Sequence, residues 1–187
     1  MNTLYYLVYL STILWATVPF RQFRKKYFFY FLAWVSADIV TLPARLVFHS
    51  GTNFFYAPFS FLALVALQDI IFIKKYWVVI LIVFSVICII SLNNNVTGIS
   101  VSIIHFFILL IFLKELIITF VKNNLVSIFI IILIFYEITV VVKYLNLLTG
   151  FTNDYIYYIM TTLFEIIFAL FFIIFKSDDK RLIFQLK

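Results

Sequence analysis

A chain of 187 residues with 14 basic and 8 acidic side chains carries a net charge of +6, yet 66% of it is hydrophobic and only 12% is charged. That balance excludes an ordinary soluble domain. It also removes nucleic acid as a partner: the basic residues sit in breaks of a few residues between apolar runs, with no basic folded face or arm to track a phosphate backbone.

Seven predominantly apolar stretches, 3–20, 27–48, 53–73, 76–92, 97–116, 125–145 and 155–175, approach the roughly 20 residues that a membrane-spanning helix needs. Their Ile and Val content would favour strands in water. In lipid, every backbone polar group must be satisfied within the segment, and the two-residue alternation of a barrel strand is missing, so helices are expected. The predicted fold is an all-α integral membrane protein: seven transmembrane helices in a single domain over residues 1–175, followed by a short cytoplasmic tail, 176–187.

The first stretch lacks a basic leader and a small-residue cleavage pattern, and Arg21, Arg24, Lys25 and Lys26 follow it directly. It reads as an uncleaved helix with its amino end outside. With that orientation Lys74, Lys75, Lys114, Lys122, Lys176, Lys180, Arg181 and Lys187 join those four on the inner side, and only Arg45 and Lys143 fall outside. The positive-inside bias therefore explains the net charge and predicts N-terminus out, C-terminus in. The Lys-, Ile-, Asn- and Phe-rich composition points to an AT-rich bacterial source, hence to a bacterial plasma (inner) membrane.

The second stretch contains "WVSADIVTLPARLVFHS", residues 34–50. At 100° per residue Trp34, Asp38, Thr41 and Arg45 share one helix face, and His49 continues it outward. Asp38 lies eleven residues into its span, close to mid-depth, where an ionised side chain costs roughly 2.5–3.5 kcal/mol on insertion scales. Arg45 and His49 approach the outer boundary, where charge is less costly. In the third stretch Asp69 closely precedes Lys74 and Lys75 and has interfacial water within reach. The fourth has no ionisable residue; its Cys88, the only cysteine, is expected to be an apolar filler.

His105 of the fifth stretch, Glu137 of the sixth and Glu165 of the seventh also approach the midplane, with Ser102 three residues before His105 and Thr161 one turn before Glu165. Lys143 is rotated about 120° from the Glu137 face and is expected to snorkel outward. The tail "KSDDKRLIFQLK" reads as a solvated stop-transfer end.

The hairpin segment "ADIVTLPARLVFHSGTN" (37–53) can be laid over "YEITVVVKYLNLLTGFTN" (136–153), bringing Asp38 onto Glu137 and Gly51 onto Gly150. Read as duplication, this gives parallel repeats at 1–75 and 96–175 joined by helix 76–92, a three-plus-one-plus-three arrangement. The SWEET and PQ-loop families of small sugar transporters share that topology. The likeness ends there: no Pro-Gln motif is present, and Pro19, Pro43 and Pro58 do not repeat.

Three functions fit these residues. One is a transporter or channel-like protein with a midplane cavity lined by carboxylates, taking a small solute or a proton at Asp38, Glu137, Glu165 and His105, with Trp34, Thr41, Arg45 and Thr161 around them. The second is a non-catalytic signalling or scaffolding subunit whose polar residues hold helices together and whose tail contacts a membrane protein partner. The third is an intramembrane enzyme for a lipid-like substrate, using a carboxylate pair with His105. No zinc motif, nucleophile elbow or cysteine cluster is present, so no metal or cofactor is expected, and the lipid bilayer is the one certain partner.

Overall fold

The computed structural model describes residues 2–48, 53–150 and 154–185, without the side chains of 2–5, 42–48, 53, 94, 95, 154 and 155. Seven α-helices follow one another: α1 (Asn2–Arg21), α2 (Phe28–Phe48), α3 (Tyr56–Ala66), α4 (Ile70–Ile90), α5 (Asn94–Asn123), α6 (Ile128–Thr149) and α7 (Asp154–Ile174). Among the described residues four are long and apolar enough to cross a membrane: α4, α5 over Val96–Asn123, α6, and α7 over Ile156–Ile174. Large apolar side chains are exposed along these helices, and α4 buries none of its residues. Such a surface suits lipid.

The third helix differs from its expected span. Only 11 residues of 53–73 form α3, preceded by a 3-10 turn at Asn53–Phe55. At the α-helical rise that is about 16 Å, roughly half of a bilayer core. The helix stops before Gln68 and Asp69, and Asp69 in extended conformation opens α4. The expected boundary near residue 75 also fails, because α4 runs through Lys74 and Lys75 with a kink at Tyr76 (φ −114°, ψ 19°). In turn, α5 extends past 116 to residue 123, which places Glu115 within the helix.

Helix contacts run α1–α2–α3–α5–α6–α7 and return from α7 to α1, closing a ring. Outside it, α4 touches only α3 and, lightly, α5 among its substantial contacts. Aromatic side chains fill the middle of the ring at the end where α1 and α7 finish and α2 and α6 begin. Tyr27 stacks on Phe129 at 5.7 Å, Phe31 lies 5.0 Å from Phe172, and Tyr30 meets Phe112 edge-on at 5.5 Å. Each such pair adds about 0.5–1.5 kcal/mol beyond the area it buries.

The tail is largely exposed, as its charges suggest, but it is also tied to the bundle. It folds back across the aromatic end: residues Leu125–Ser127 (β1) pair antiparallel with Ile183–Gln185 (β2), Val126 opposite Phe184, and Leu182 is buried in the core. Gln22, fully buried in the turn after α1, donates through Nε2 to the Phe172 and Phe175 carbonyls, both at 2.8 Å, while its Oε1 accepts from the Ser177 N–H at 3.2 Å. Arg21 Nε donates to the Ile173 carbonyl at 3.0 Å. These side chains supply the partners that the last turn of a helix lacks.

Lys25 pairs with Asp178 at 2.6 Å and Lys26 with Glu115, so the same end holds a group of ion pairs. The Lys25 ammonium lowers the Asp178 carboxyl pKa, and Arg181 holds Asp179 down at about 2. Depressed carboxyl pKa values contribute stability above the ordinary carboxylate pKa near 3.9 and lose it as pH falls through the folded-state value. Asp178 is exposed and the half-buried Asp179 pairs with an exposed Arg181, so water screens both pairs and their contribution is small.

Gln22→Leu removes both donors from buried carbonyls and should lower unfolding free energy in detergent by about 1–3 kcal/mol. Limited proteolysis should then cut the chain after residue 175 while α5 and α6 stay protected; an unchanged melting temperature and uncut tail would refute this seam.

Candidate functional site

Opposite the aromatic end the ring encloses a cavity of about 470 Å³. Its residues come from Val8–Trp15 of α1, Trp34–Thr41 of α2, Tyr136–Leu148 of α6 and Tyr158–Glu165 of α7, with the starts of α3 and α5, so it reaches from the middle of the bundle toward the α2–α3 and α6–α7 connections. Trp34, Asp38 and Thr41 line it from α2, Tyr136, Lys143 and Tyr144 from α6, and Tyr158, Thr162 and Glu165 from α7. The α2 face that the 100° spacing defines is thus a cavity wall.

Two polar groupings meet in this space. The Lys143 ammonium lies 2.6 Å from Glu165 Oε1 and 4.9 Å from the Tyr158 ring centre, with both ionic side chains less than one-fifth exposed. Lys143 therefore does not snorkel outward as expected. A carboxylate on the adjacent helix and an aromatic face hold it inside, an arrangement favoured where water is scarce. Across the cavity the Tyr56 hydroxyl donates to Asp38 Oδ1 at 3.0 Å. Thr41 Oγ1, on a residue 1% exposed, has no hydrogen-bond partner among the described residues.

Glu137 and His105 are not in this cavity, which corrects the expectation of one site holding all three carboxyls. Neither lines it: both are buried, 0% and 1% exposed, and Glu137 directly follows the lining residue Tyr136 on α6. Glu137 Oε2 is 2.6 Å from His105 Nδ1, and its Oε1 accepts from the Tyr30 hydroxyl. His105 Nε2 is 3.0 Å from Ser60 Oγ. Four helices, α2, α3, α5 and α6, thus meet at one polar cluster. Trp34 and Tyr136 separate it from the cavity: the Trp34 ring stands edge-on 4.7 Å from His105, and Tyr136 lies 4.7 Å from Trp15.

Counting protons fixes the charge of the cluster. The single Ser60 hydroxyl proton is committed to the Tyr56 carbonyl at 2.8 Å, so Ser60 accepts from His105 and Nε2 carries hydrogen. The Tyr30 proton points to Glu137 Oε1. One proton is then shared between Nδ1 and Oε2. Whether it rests on nitrogen or oxygen, the pair is neutral overall, the state that a dry interior demands.

The remaining sequence-derived candidates divide. Thr161 bonds its own helix, donating toward the Tyr157 and Tyr158 carbonyls, and its neighbour Thr162 faces the cavity instead. Ser102 Oγ has no partner among the described residues; Ser60 takes the place beside His105 that was expected of Ser102. The side chain of Arg45 and all of His49 lie outside the described residues. Among the described residues no cluster of three His, Cys, Asp or Glu side chains is placed to hold a metal. Tyr30, Tyr56 and Ser60 escaped the sequence reading, and Lys143 was expected to snorkel outward, although 136, 140, 143 and 147 fall at the three- and four-residue spacing of a single face.

Compared with protein-family models, curated proteins and solved structures, the chain matches none.

The proton count makes Glu137→Gln nearly isosteric, since a carboxamide accepts from Tyr30 and donates to a neutral His105 Nδ1. It should retain wild-type stability within about 1.5 kcal/mol, whereas Glu137→Leu, which strands His105 and Tyr30, should lose about 3–5 kcal/mol. Equal losses in detergent unfolding would contradict the assignment.

Proposed function

We propose that this protein is a small transporter of a polar solute in a bacterial plasma membrane, with the open end of the cavity outside, the basic end in the cytoplasm, and the Glu137–His105 pair as its proton-carrying element. The observation that carries this reading is the charged, aromatic-walled cavity with a buried acid–imidazole pair beside it. Its volume falls in the usual range for small-ligand sites, about 300–1,000 Å³. Asp38, Lys143 and Glu165 offer ionic and hydrogen-bonding partners, and Trp34, Tyr144 and Tyr158 offer flat faces. An open channel fits less well, because the aromatic layer and the folded-back tail stand between the cavity and the far end.

The ring order supports reading 1–75 and 96–175 as parallel repeats. The α1–α2 and α2–α3 contacts recur as α5–α6 and α6–α7, the α3–α5 seam recurs as α7–α1, and α4 lies outside. Two like halves around a central site are a common transporter plan. In this reading solute in the cavity displaces Trp34 or Tyr136, and the pair beneath gains or loses its shared proton as the halves move. A scaffold subunit would be expected to fill the ring with packed side chains and to leave its tail for a partner. An acid–base enzyme would need two cavity carboxyls acting together, but of the two that line it Glu165 is held by Lys143 and Asp38 accepts from Tyr56.

Full-length protein in proteoliposomes should move protons with a small polar solute found by screening for melting-temperature shifts. Asp38→Asn and Lys143→Gln should weaken solute binding by on the order of tenfold or more, the loss expected of one charged hydrogen bond. Glu137→Gln should keep binding and lose the accompanying proton movement. Solute flux indifferent to all three substitutions would refute the reading.

A further inference from the structure

A second hollow, of about 410 Å³, lies outside the ring where α4 stands off from α3 and α5. Leu64 of α3, Phe72, Val79 and Val83 of α4, and Ile111 of α5 form its apolar walls, and its polar atoms come from Gln68 and Tyr76. No residue of α4 is fully buried: Ile80, Phe84 and Ile87 pack partly against the core, and Phe72, Tyr76, Val79 and Val83 border this groove. Apolar walls facing an empty slot forfeit their dispersion contacts, so within a bilayer hydrocarbon is the natural filling. From Tyr76 to Val83 the groove follows α4 for about 10 Å, against about 15 Å for the depth of one leaflet. That shape suits an acyl chain lying along the helices.

Charge at one end of the groove selects the headgroup. Lys74 and Lys75 lie between Phe72 and Tyr76 of its wall. Lys114 comes seven residues after the lining residue Phe107, on the same face of α5 and one turn beyond Ile111. All three are exposed, and none has an acidic partner among the described residues. Glu115 is turned away to Lys26 and Tyr27, which leaves Asp69 as the acid beside the α4 lysines. The α4 kink at Tyr76, with the Lys75 ammonium 5.2 Å from the Tyr76 ring centre, marks the boundary between apolar slot and basic mouth.

We propose that this groove is a binding site for one anionic phospholipid, its acyl chain held between α3, α4 and α5 and its phosphate held by Lys74, Lys75 and Lys114. Basic clusters beside apolar slots between membrane helices recognise such headgroups, each lysine adding roughly a fivefold preference. The lipid completes the packing of α4 and fixes it to the ring. The site is separate from the central cavity and stands whether or not that cavity carries solute.

Native mass spectrometry of the full-length protein, titrated with phosphatidylglycerol or phosphatidylcholine, tests the assignment. One phosphatidylglycerol should be retained per chain under conditions that strip phosphatidylcholine. The K74Q/K75Q/K114Q variant should lose affinity by on the order of a hundredfold. Val79→Trp, which fills the slot and keeps the lysines, should lose the lipid as well, with elution volume and melting curve confirming that each variant is folded. Equal retention of both lipids by the wild-type protein would overturn the proposal without any variant. So would an unaffected triple variant, a Val79→Trp protein that still holds its lipid through surface charge alone, or a dimer that buries the groove under a second copy.

Discussion

The acid–imidazole pair of Glu137 and His105 is the interaction on which the rest of the bundle depends. Helices surrounded by lipid gain little from burying apolar side chains against one another, because the tails outside are equally apolar. Polar contacts therefore carry much of the specificity. Glu137 reaches α2 through Tyr30 and α5 through His105, and His105 reaches α3 through Ser60. Four of the six ring helices are set in register by one neutral cluster. The short α3 shows the effect of this anchoring: too short to span a bilayer, it is fixed at Ser60 and lies against α2 and α5.

That cluster also divides the molecule. On one side the ring opens into the cavity, where Lys143 and Glu165 neutralise each other in a partly enclosed space. On the other side aromatic rings close it, and Gln22 ties the tail beneath them through the carbonyls at the end of α7. The asymmetry is chemical as well as geometric, with hydroxyls and charges above, aromatic carbon below, and two rings, Trp34 and Tyr136, at the boundary.

Much of this order was legible in the sequence, and the failures have identifiable causes. Apolar run length located the seven helices, and the angular arithmetic around Asp38 found a real wall, because α2 is regular over that stretch. Ionisable residues at mid-depth were recognised as costly, which set Asp38, His105, Glu137 and Glu165 apart; the structure buries His105 and Glu137 and lines the cavity with Asp38 and Glu165. Their partners could not be read. Tyr30 and Ser60 are ordinary helix residues whose importance comes from facing Glu137 and His105 across long sequence separations. Lys143 was misplaced for the same reason: snorkelling follows from one helix alone, and Glu165 belongs to another. The exposure of the tail was legible in its charges, but the burial of Leu182 and the β1–β2 pairing were not, because they depend on distant segments.

Side-resolved thiol labelling tests most directly whether the bundle is open at one end and sealed at the other. In a Cys88→Ser background, Thr162→Cys lies in the cavity, and Ala169→Cys lies seven residues further along α7 on the same face, in the buried core. Each oriented preparation would be treated with a membrane-impermeant reagent on one face at a time. The account predicts that Thr162→Cys reacts only from the face nearest the α6–α7 connection and that Ala169→Cys reacts from neither. Reaction of Ala169→Cys from the tail side, or of Thr162→Cys equally from both, would contradict it.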